Sequence, residues 1–334
     1  MRWRYVLVAG LAVLIGAAAG LAITFGLSSG SGRFEVEGNR ILTPDGDTFV
    51  MRGVVAAYGT FAGGDAQGLG RINERAASKD FDRIADIGAN TVKVYVTPAS
   101  VGDSGARGRL SRLVGAARDE GLVVVLTGFY ATAADAMPWV RETARRYADD
   151  PYIWLLPMNE PGCTVPDPGS ACVDFERWER EHRRYVDAIR QAGMRSPILV
   201  NAPGWSWSLA RVPEHPLGDE DIVLGAHRYA NDERELDDQG LREIAQGWAQ
   251  LARRRPVVLD EVGNYNGDGF VNSVAWTRDM VDFARNWVKT GEGSGVVAFN
   301  WRWSDPNTLT DPANGELTEW GRIFVNRFLE KTNG

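Results

Sequence analysis

Two short stretches of the chain place a carboxylate where an apolar run stops. In DPYIWLLPMNEPG, residues 150–162, the run from Ile153 to Met158 leads into Asn159, Glu160 and Pro161. In RPVVLDEVG, residues 255–263, a second apolar run leads into Asp260 and Glu261. Burying an unpaired ion at the end of a core strand costs several kcal/mol in lost hydration, so a carboxylate kept there points to a task. The stretches lie about a hundred residues apart. Two carboxyl groups aimed into one cleft can divide the work of glycoside hydrolysis. One stays protonated and serves as general acid, while the other, ionised, attacks the anomeric carbon. Repulsion supplies the division, because an ionised carboxylate raises the pKa of its neighbour. Glu160 and Glu261 are the candidates. Asp260 competes with Glu261, since alternation along a strand turns one of the two inward and the other away.

The elements that must hold these groups alternate. Strand-like apolar runs are followed by charged segments of helical period, the pattern of βα units around a parallel sheet. Eight runs qualify: residues 48–55, 90–96, 122–128, 152–160, 197–202, 221–229, 255–261 and 295–301. The spacing predicts a (β/α)8 TIM barrel, a fold of typically about 250 residues whose chemistry sits at the C-terminal ends of the strands. Strands 4 and 7 of such a barrel face each other across its mouth, which brings Glu160 and Glu261 into one cleft. A doubly wound sheet would want a G-x-G-x-x-G loop, and GGDAQGLG, residues 63–70, lacks that spacing. Residues 80–88 and 175–193 read as amphipathic helices ending on Gly88 and Gly193. FEVEGNRILTPDGDTFV, with turn signals at GN and PDGD, predicts small hairpins closing the bottom of the barrel.

Composition narrows the class. The net charge is −7 and no long basic run is present, so nucleic acid is not an expected partner. With 3 His and neither His-x-x-x-His nor Cys-x-x-Cys, no dedicated metal site and no cofactor are expected. The N-terminus carries MRWR and then an uncharged run, Tyr5 to Leu27. At about 1.5 Å per residue such a run spans roughly 30 Å of hydrocarbon. It reads as a retained signal anchor over residues 1–27, with a cleaved signal peptide as the alternative. Either reading makes the remainder extracytoplasmic: at the cell membrane if tethered, secreted if cleaved. Residues 28–33 form a short linker, and residues 34–334 one catalytic domain, expected to act as a monomer. Cys163 and Cys172 flank a loop rich in Pro and Gly, where an exported chain would form a disulfide; two free thiols are the alternative.

From Phe34 onward the chain resembles glycoside hydrolase family 5, the cellulase and β-mannanase family of retaining (β/α)8 enzymes. The motif NEP carries the resemblance furthest. It implies Glu160 as acid/base and Asn159 as the ligand of a sugar 2-hydroxyl, and LDEVG implies Glu261 as nucleophile. AHRY matches the family's His-x-Tyr, which implies that Tyr229 hydrogen-bonds the nucleophile and His227 lines the sugar site. Trp301 matches the aromatic residue that stacks under the sugar. Two positions depart from the family pattern. Lys93 stands where Arg is usual, either as a charge partner of Glu261 or as a residue of the barrel bottom, and Thr127, Gly128 and Tyr130 stand where a His is usual. The implied activity is retaining hydrolysis of a β-linked polysaccharide of β-1,4-glucan or β-mannan type. A binding relic without turnover and a transglycosylase using the same site are the alternatives. Trp205 and Trp207 offer flat apolar faces for sugar rings, as do Trp303 and Tyr265 and, less clearly, Tyr58. Asp305 and Asn307 belong to the last loop and carry no assigned role. Trp139, Trp154, Trp178, Trp248, Trp276 and Trp287 read as core.

Overall fold

The computed structural model describes residues 31–56, 74–97, 101–129, 132–161, 174–207, 209–229, 248, 251–264, 274–301, 308–311 and 313–330. Residues 1–30, and with them the apolar run, lie outside this set, as do Tyr58, Tyr130, Cys163, Cys172, Tyr265, Trp303, Asp305 and Asn307. No helix among the described residues is long and apolar enough to cross a membrane.

Eight parallel strands close into a barrel. They are β4 (Met51–Val55), β5 (Thr91–Val96), β6 (Val123–Gly128), β7 (Ile153–Leu156), β8 (Ile198–Asn201), β9 (Ile222–Tyr229), β10 (Val257–Gly263) and β11 (Gly295–Ala298). Neighbours in space follow chain order, and β11 pairs with β4 to complete the ring. The predicted barrel is therefore present, with adjusted strand limits. Thr48–Phe49, expected within the first barrel strand, forms β3 of a separate antiparallel sheet with β1 (Glu35–Glu37) and β2 (Arg40–Leu42). The fourth barrel strand stops at Leu156, not at Glu160.

Residue alternation divides the apolar side chains into two clusters. Val55, Tyr95, Val125, Leu156, Leu199, Val258 and Val297 point into the barrel. Their chain neighbours Val54, Val94, Leu126, Leu155, Val200, Leu259 and Val296 point out, toward the helices. Outer helices with defined caps complete that layer. Asp103 accepts a hydrogen bond from the Ala106 amide at the start of α2 (Ser104–Asp119), α1 being Glu74–Asp86. Thr132 caps α3 (Ala133–Arg146), and Asp174 caps α4 (Phe175–Gln191) through the Arg177 amide. The α4 face buries Phe175, Trp178, His182, Tyr185, Val186 and Ile189, as its period predicts. The six tryptophans read as core are all buried.

The N-terminal hairpins close the barrel bottom. Gly38 and Gly46, at φ 62° and 92°, make the two turns that GN and PDGD predict. Phe34, Ile41, Phe49 and Met51 join the inner cluster. The Phe34 ring meets Phe49, Tyr152 and Trp154 edge-on at 5.1, 5.1 and 5.2 Å between centroids. Water is thus kept from the lower barrel, and polar groups gather at the upper end. If this floor carries the lower core, Phe34→Ala lowers the unfolding free energy by about 3–5 kcal/mol in a denaturant titration. A loss below about 1 kcal/mol would show that the hairpins merely cover a barrel that is stable without them.

Candidate active site

The site begins with a register fault. Along β10, Leu259 pairs with Ala226 of β9, and the next pair is Glu261 with His227, so two β10 residues oppose one step of β9. This is a β-bulge. Val258 points inward and Leu259 outward, so plain alternation would turn Asp260 in and Glu261 out. The bulge turns Glu261 in as well. The expectation that one of the pair faces the helices is overturned: both carboxylates meet the same ammonium. Lys93 Nζ donates to Asp260 Oδ2 and to Glu261 Oε1, each at 2.8 Å. Lys93, two residues before Tyr95 on the inner face of β5, is thus the charge partner of Glu261 and not a residue of the barrel bottom.

Three donors converge on Glu261. Besides Lys93, Tyr95 Oη donates to Oε1 and Tyr229 Oη to Oε2, both at 2.5 Å. Lysine carries charge without the planar fork of arginine, and the Tyr95 hydroxyl supplies a second bond to the same oxygen. Glu160 lies four residues beyond β7 with φ 45°, a left-handed conformation rare for a residue with a side chain. Its approach depends on Gly128, where a Cβ would lie 2.2 Å from the Pro157 carbonyl oxygen. The Asn159 amide donates to the Gly128 carbonyl at 2.8 Å, and the Glu160 amide to Asn201 Oδ1 at 3.3 Å. Glu160 Oε1 meets His227 Nδ1 at 2.6 Å. His227 also lies 3.3 Å from Asp260 Oδ1 through Nε2 and 3.5 Å from Glu261 Oε2 through Nδ1. The Glu160 side chain keeps 20% of its surface exposed, against 3% for Glu261, so Glu160 is the more accessible carboxyl group.

Electrostatics separates the two glutamates. Burial raises the pKa of Glu160 above the usual value, and the favourable pull of His227 does not cancel it. Burial acts on Glu261 in the same sense, but His227 and Lys93 outweigh it and hold its pKa below the usual value. Asp260 is held well below the carboxylate range, because Lys93 and His227 overcome its burial. His227 loses by burial and gains more from Glu261, Asp260 and Glu160, which lift it to about 10. Lys93 is raised in the same way: Asp260 and Glu261 outweigh its desolvation. At neutral pH the cationic Lys93 and His227 face the anionic Asp260 and Glu261, and Glu160 keeps its proton to higher pH than an ordinary glutamate.

Other predicted residues take different places. Asn159 is buried, and its Oδ1 has no hydrogen-bond partner among the described residues, an acceptor left for a ligand. Trp205 and Trp207 are 39% and 43% exposed, the large apolar side chains open to solvent among the described residues. Gly204, Trp205 and Ser206 pass through left-handed φ values of 69°, 58° and 59°, and the buried Ser206 Oγ donates to the Gly225 carbonyl. The Arg228 guanidinium stacks 5.3 Å from the Trp207 ring centre and 4.4 Å from that of Trp248. Trp301 is not at the mouth. It is 1% exposed, in the layer between barrel and helices, with Arg83 over its ring at 5.8 Å. β11 ends at Ala298, and the ring beside the site is Phe299, half-buried and edge-on to Tyr229 at 5.6 Å. Tyr95, Asn201 and Phe299 are the site residues that sequence reasoning missed. Tyr95 carried a signal, its two-residue spacing from Lys93 on one strand face.

One oxygen each of Glu160 and Glu261 and one nitrogen of His227 lie within 4.8 Å of one another, the dimensions of a cation site among the described residues. The donor set suits protons better. Glu261 already accepts from Lys93 and two tyrosines, and a charged His227 has no lone pair to offer a metal.

Comparison with known proteins places this geometry in a family. Residues 52–307 match the family model "Cellulase (glycosyl hydrolase family 5)". A mannan endo-1,4-beta-mannosidase of Streptomyces lividans is 25% identical over 354 residues, covering 97% of this chain and 79% of the relative. The protein of the same name from Cellvibrio japonicus (strain Ueda107) is 22% identical, covering 96% and 71%. The fold matches that of beta-glucanase SdGluc5_26A from Saccharophagus degradans with a TM-score of 0.74 at 20% identity, covering 90% of this chain and 93% of that one. The chain belongs to glycosyl hydrolase family 5 and is a glycosidase that hydrolyses O-glycosyl compounds.

Proposed function

We propose that the chain cleaves a β-linked polysaccharide with retention of configuration, Glu160 acting as acid/base and Glu261 as nucleophile. The observation that carries this reading is the pair of carboxyl groups, within 4.8 Å of each other and shifted in opposite directions. Oxygens of the two groups within 4.8 Å of each other suit direct attack, because an inverting enzyme needs about 6.5–9.5 Å between its carboxyl groups to admit a water. His227 occupies Glu160 Oε1, which leaves Oε2 to carry the acid's proton. That proton passes to the leaving-group oxygen as Glu261 attacks the anomeric carbon. Water then adds to the glycosyl-enzyme, with Glu160 taking its proton and Glu261 leaving as carboxylate.

The substrate we assign is a β-1,4-linked glucan or mannan, cut within the chain. The names of the Streptomyces and Cellvibrio relatives support the mannan, and that of the Saccharophagus enzyme a glucan. Asn159 Oδ1 suits a sugar hydroxyl, and the exposed Trp205 and Trp207 suit rings on the leaving-group side. The uncharged run Tyr5–Leu27 supports an extracytoplasmic enzyme, tethered or released.

Five outcomes test this reading. Glu160→Ala should slow cleavage of an unactivated β-glycan by about 10²–10⁴-fold while still forming the intermediate from an aryl glycoside with a good leaving group. Glu261→Gln should lose turnover on both. Proton NMR of fresh product should show the β-anomer first, and an α-anomer would exclude the double displacement. The pH profile should fall on the acid side as Glu261 gains a proton, below the ordinary glutamate value of about 4.3, and on the alkaline side as Glu160 loses one, above it. An acid limb centred above that value would contradict the assignment. Trp205→Ala and Trp207→Ala should each raise KM for polymer about tenfold, ~1.4 kcal/mol, and leave a short aryl glycoside nearly unaffected.

A further inference from the structure

The nucleophile's neighbour has no part in the steps above, yet the fold is shaped around it. Asp260 is completely buried, and each of its contacts comes from a different strand. Lys93 Nζ of β5 donates to Oδ2 at 2.8 Å, and Asn201 Nδ2 of β8 lies 3.2 and 3.1 Å from Oδ1 and Oδ2. His227 Nε2 of β9 lies 3.3 Å from Oδ1. Room for this carboxylate is made at Gly225, where a Cβ would stand 2.4 Å from Asp260 Oδ1 and 2.6 Å from Asn201 Nδ2. The same three partners also reach the reactive pair, Lys93 with a further proton of Nζ and the other two with their second polar atom. Lys93 reaches Glu261, His227 Nδ1 reaches Glu160, and Asn201 Oδ1 accepts the Glu160 amide.

We propose that Asp260 is a positioning residue, a second, non-reacting carboxylate that holds Lys93, His227 and Asn201 so that Lys93 presents a further proton of Nζ to Glu261, and His227 and Asn201 present their other polar atoms to Glu160. The bulge is what permits this. It keeps Asp260 on the inner face, where alternation puts it, and adds Glu261 beside it. Asp260 also supplies the negative charge that offsets the second cation. Without it Lys93 and His227 would face Glu261 alone, and the Glu160–His227 pair would hold its protons less tightly. The charged and titratable groups facing Asp260 are Lys93 and Tyr95 from β5, His227 from β9 and Glu261 beside it on β10; Glu160 and Tyr229 lie behind these, against His227 and Glu261.

This inference rests on the assignment of Glu160 and Glu261, and its test separates the two. The full chain and its Asp260→Asn, Gly225→Ala and Glu261→Gln variants are assayed on aryl β-cellobioside and aryl β-mannobioside, with thermal melting beside each. Asp260→Asn should lower kcat by about tenfold or more at little change in KM. Its alkaline limb should move to lower pH, because removing the anion beside His227 weakens the hold of the Glu160–His227 pair on its protons. Gly225→Ala displaces the carboxylate without removing its charge. It should lower kcat with a smaller shift of the limb, and it serves as the test if Asp260→Asn does not fold. A folded Asp260→Asn variant with the parent's kcat and pH profile, or one whose only change is a lower melting temperature, overturns the proposal. Should Asp260→Asn not fold, unchanged kcat in Gly225→Ala overturns it. Parent-like turnover by Glu261→Gln, or covalent labelling of Asp260 by a 2-fluoro glycoside, overturns the underlying assignment as well.

Discussion

A single buried ammonium organises the upper barrel. Lys93 Nζ sits 2.8 Å from a carboxylate oxygen of Asp260 and 2.8 Å from one of Glu261, with no exposed surface on any of the three beyond a few per cent. Removing such charges from water costs several kcal/mol for each ion, and attraction offsets the cost only when the remaining donors and acceptors are also satisfied. Tyr95, Tyr229 and Asn201 donate to the other oxygens of the two carboxylates, and His227 Nε2 stands 3.3 Å from Asp260 Oδ1 as a charge contact. Each is fixed by its own strand, so the charge cluster and the barrel hold each other in place. Every strand from β5 to β10 except β6 contributes a polar group or leads directly into one, and β6 contributes the glycine that lets Glu160 approach.

The polarity of the barrel interior changes along its axis for this reason. At the lower end the aromatic floor of Phe34, Phe49, Tyr152 and Trp154 keeps the interior dry. At the upper end seven ionisable side chains lie in contact, and the low local polarizability makes each interaction stronger than it would be in water. Two glutamates of identical chemistry are driven apart there by position alone. Glu261 faces Lys93 and two phenols, and Glu160 faces one imidazole and the open cleft. The two carboxyl groups differ because one lies inside the cation's reach and the other at its margin.

The exchange of Lys for the family's Arg shows how such a site tolerates change. A guanidinium can hold two oxygens at once, whereas an ammonium is a point charge. Here Lys93 spreads its protons over two separate carboxylates, and Tyr95 makes good the bond that the fork would have made. Asp260 and Tyr95 therefore belong to the same local solution as Lys93.

Much of this protein could be read from residue order. Alternating apolar runs and amphipathic segments specify eight βα units, because burial on both faces of a strand and on one face of a helix leaves different periods in the sequence. The residues that end those runs, Asn159, Glu160, His227, Tyr229 and Glu261, were legible because a polar group at a core strand's end is costly without a purpose. The GN and PDGD turns were legible because a left-handed backbone favours glycine. Three features were not. The bulge at Asp260–Glu261 is a mismatch between two strands and leaves no mark in either one. The place of Trp301 depended on where β11 releases the chain, which put Phe299 at the mouth and Trp301 among the helices. The sharing of Lys93 between Glu261, a partner the sequence offered as one of two readings, and Asp260, which it did not, joins residues 168 and 167 positions apart. One-dimensional pattern reports what each element must bury, but which charges meet is settled by register and closure, when the eighth strand finds the first.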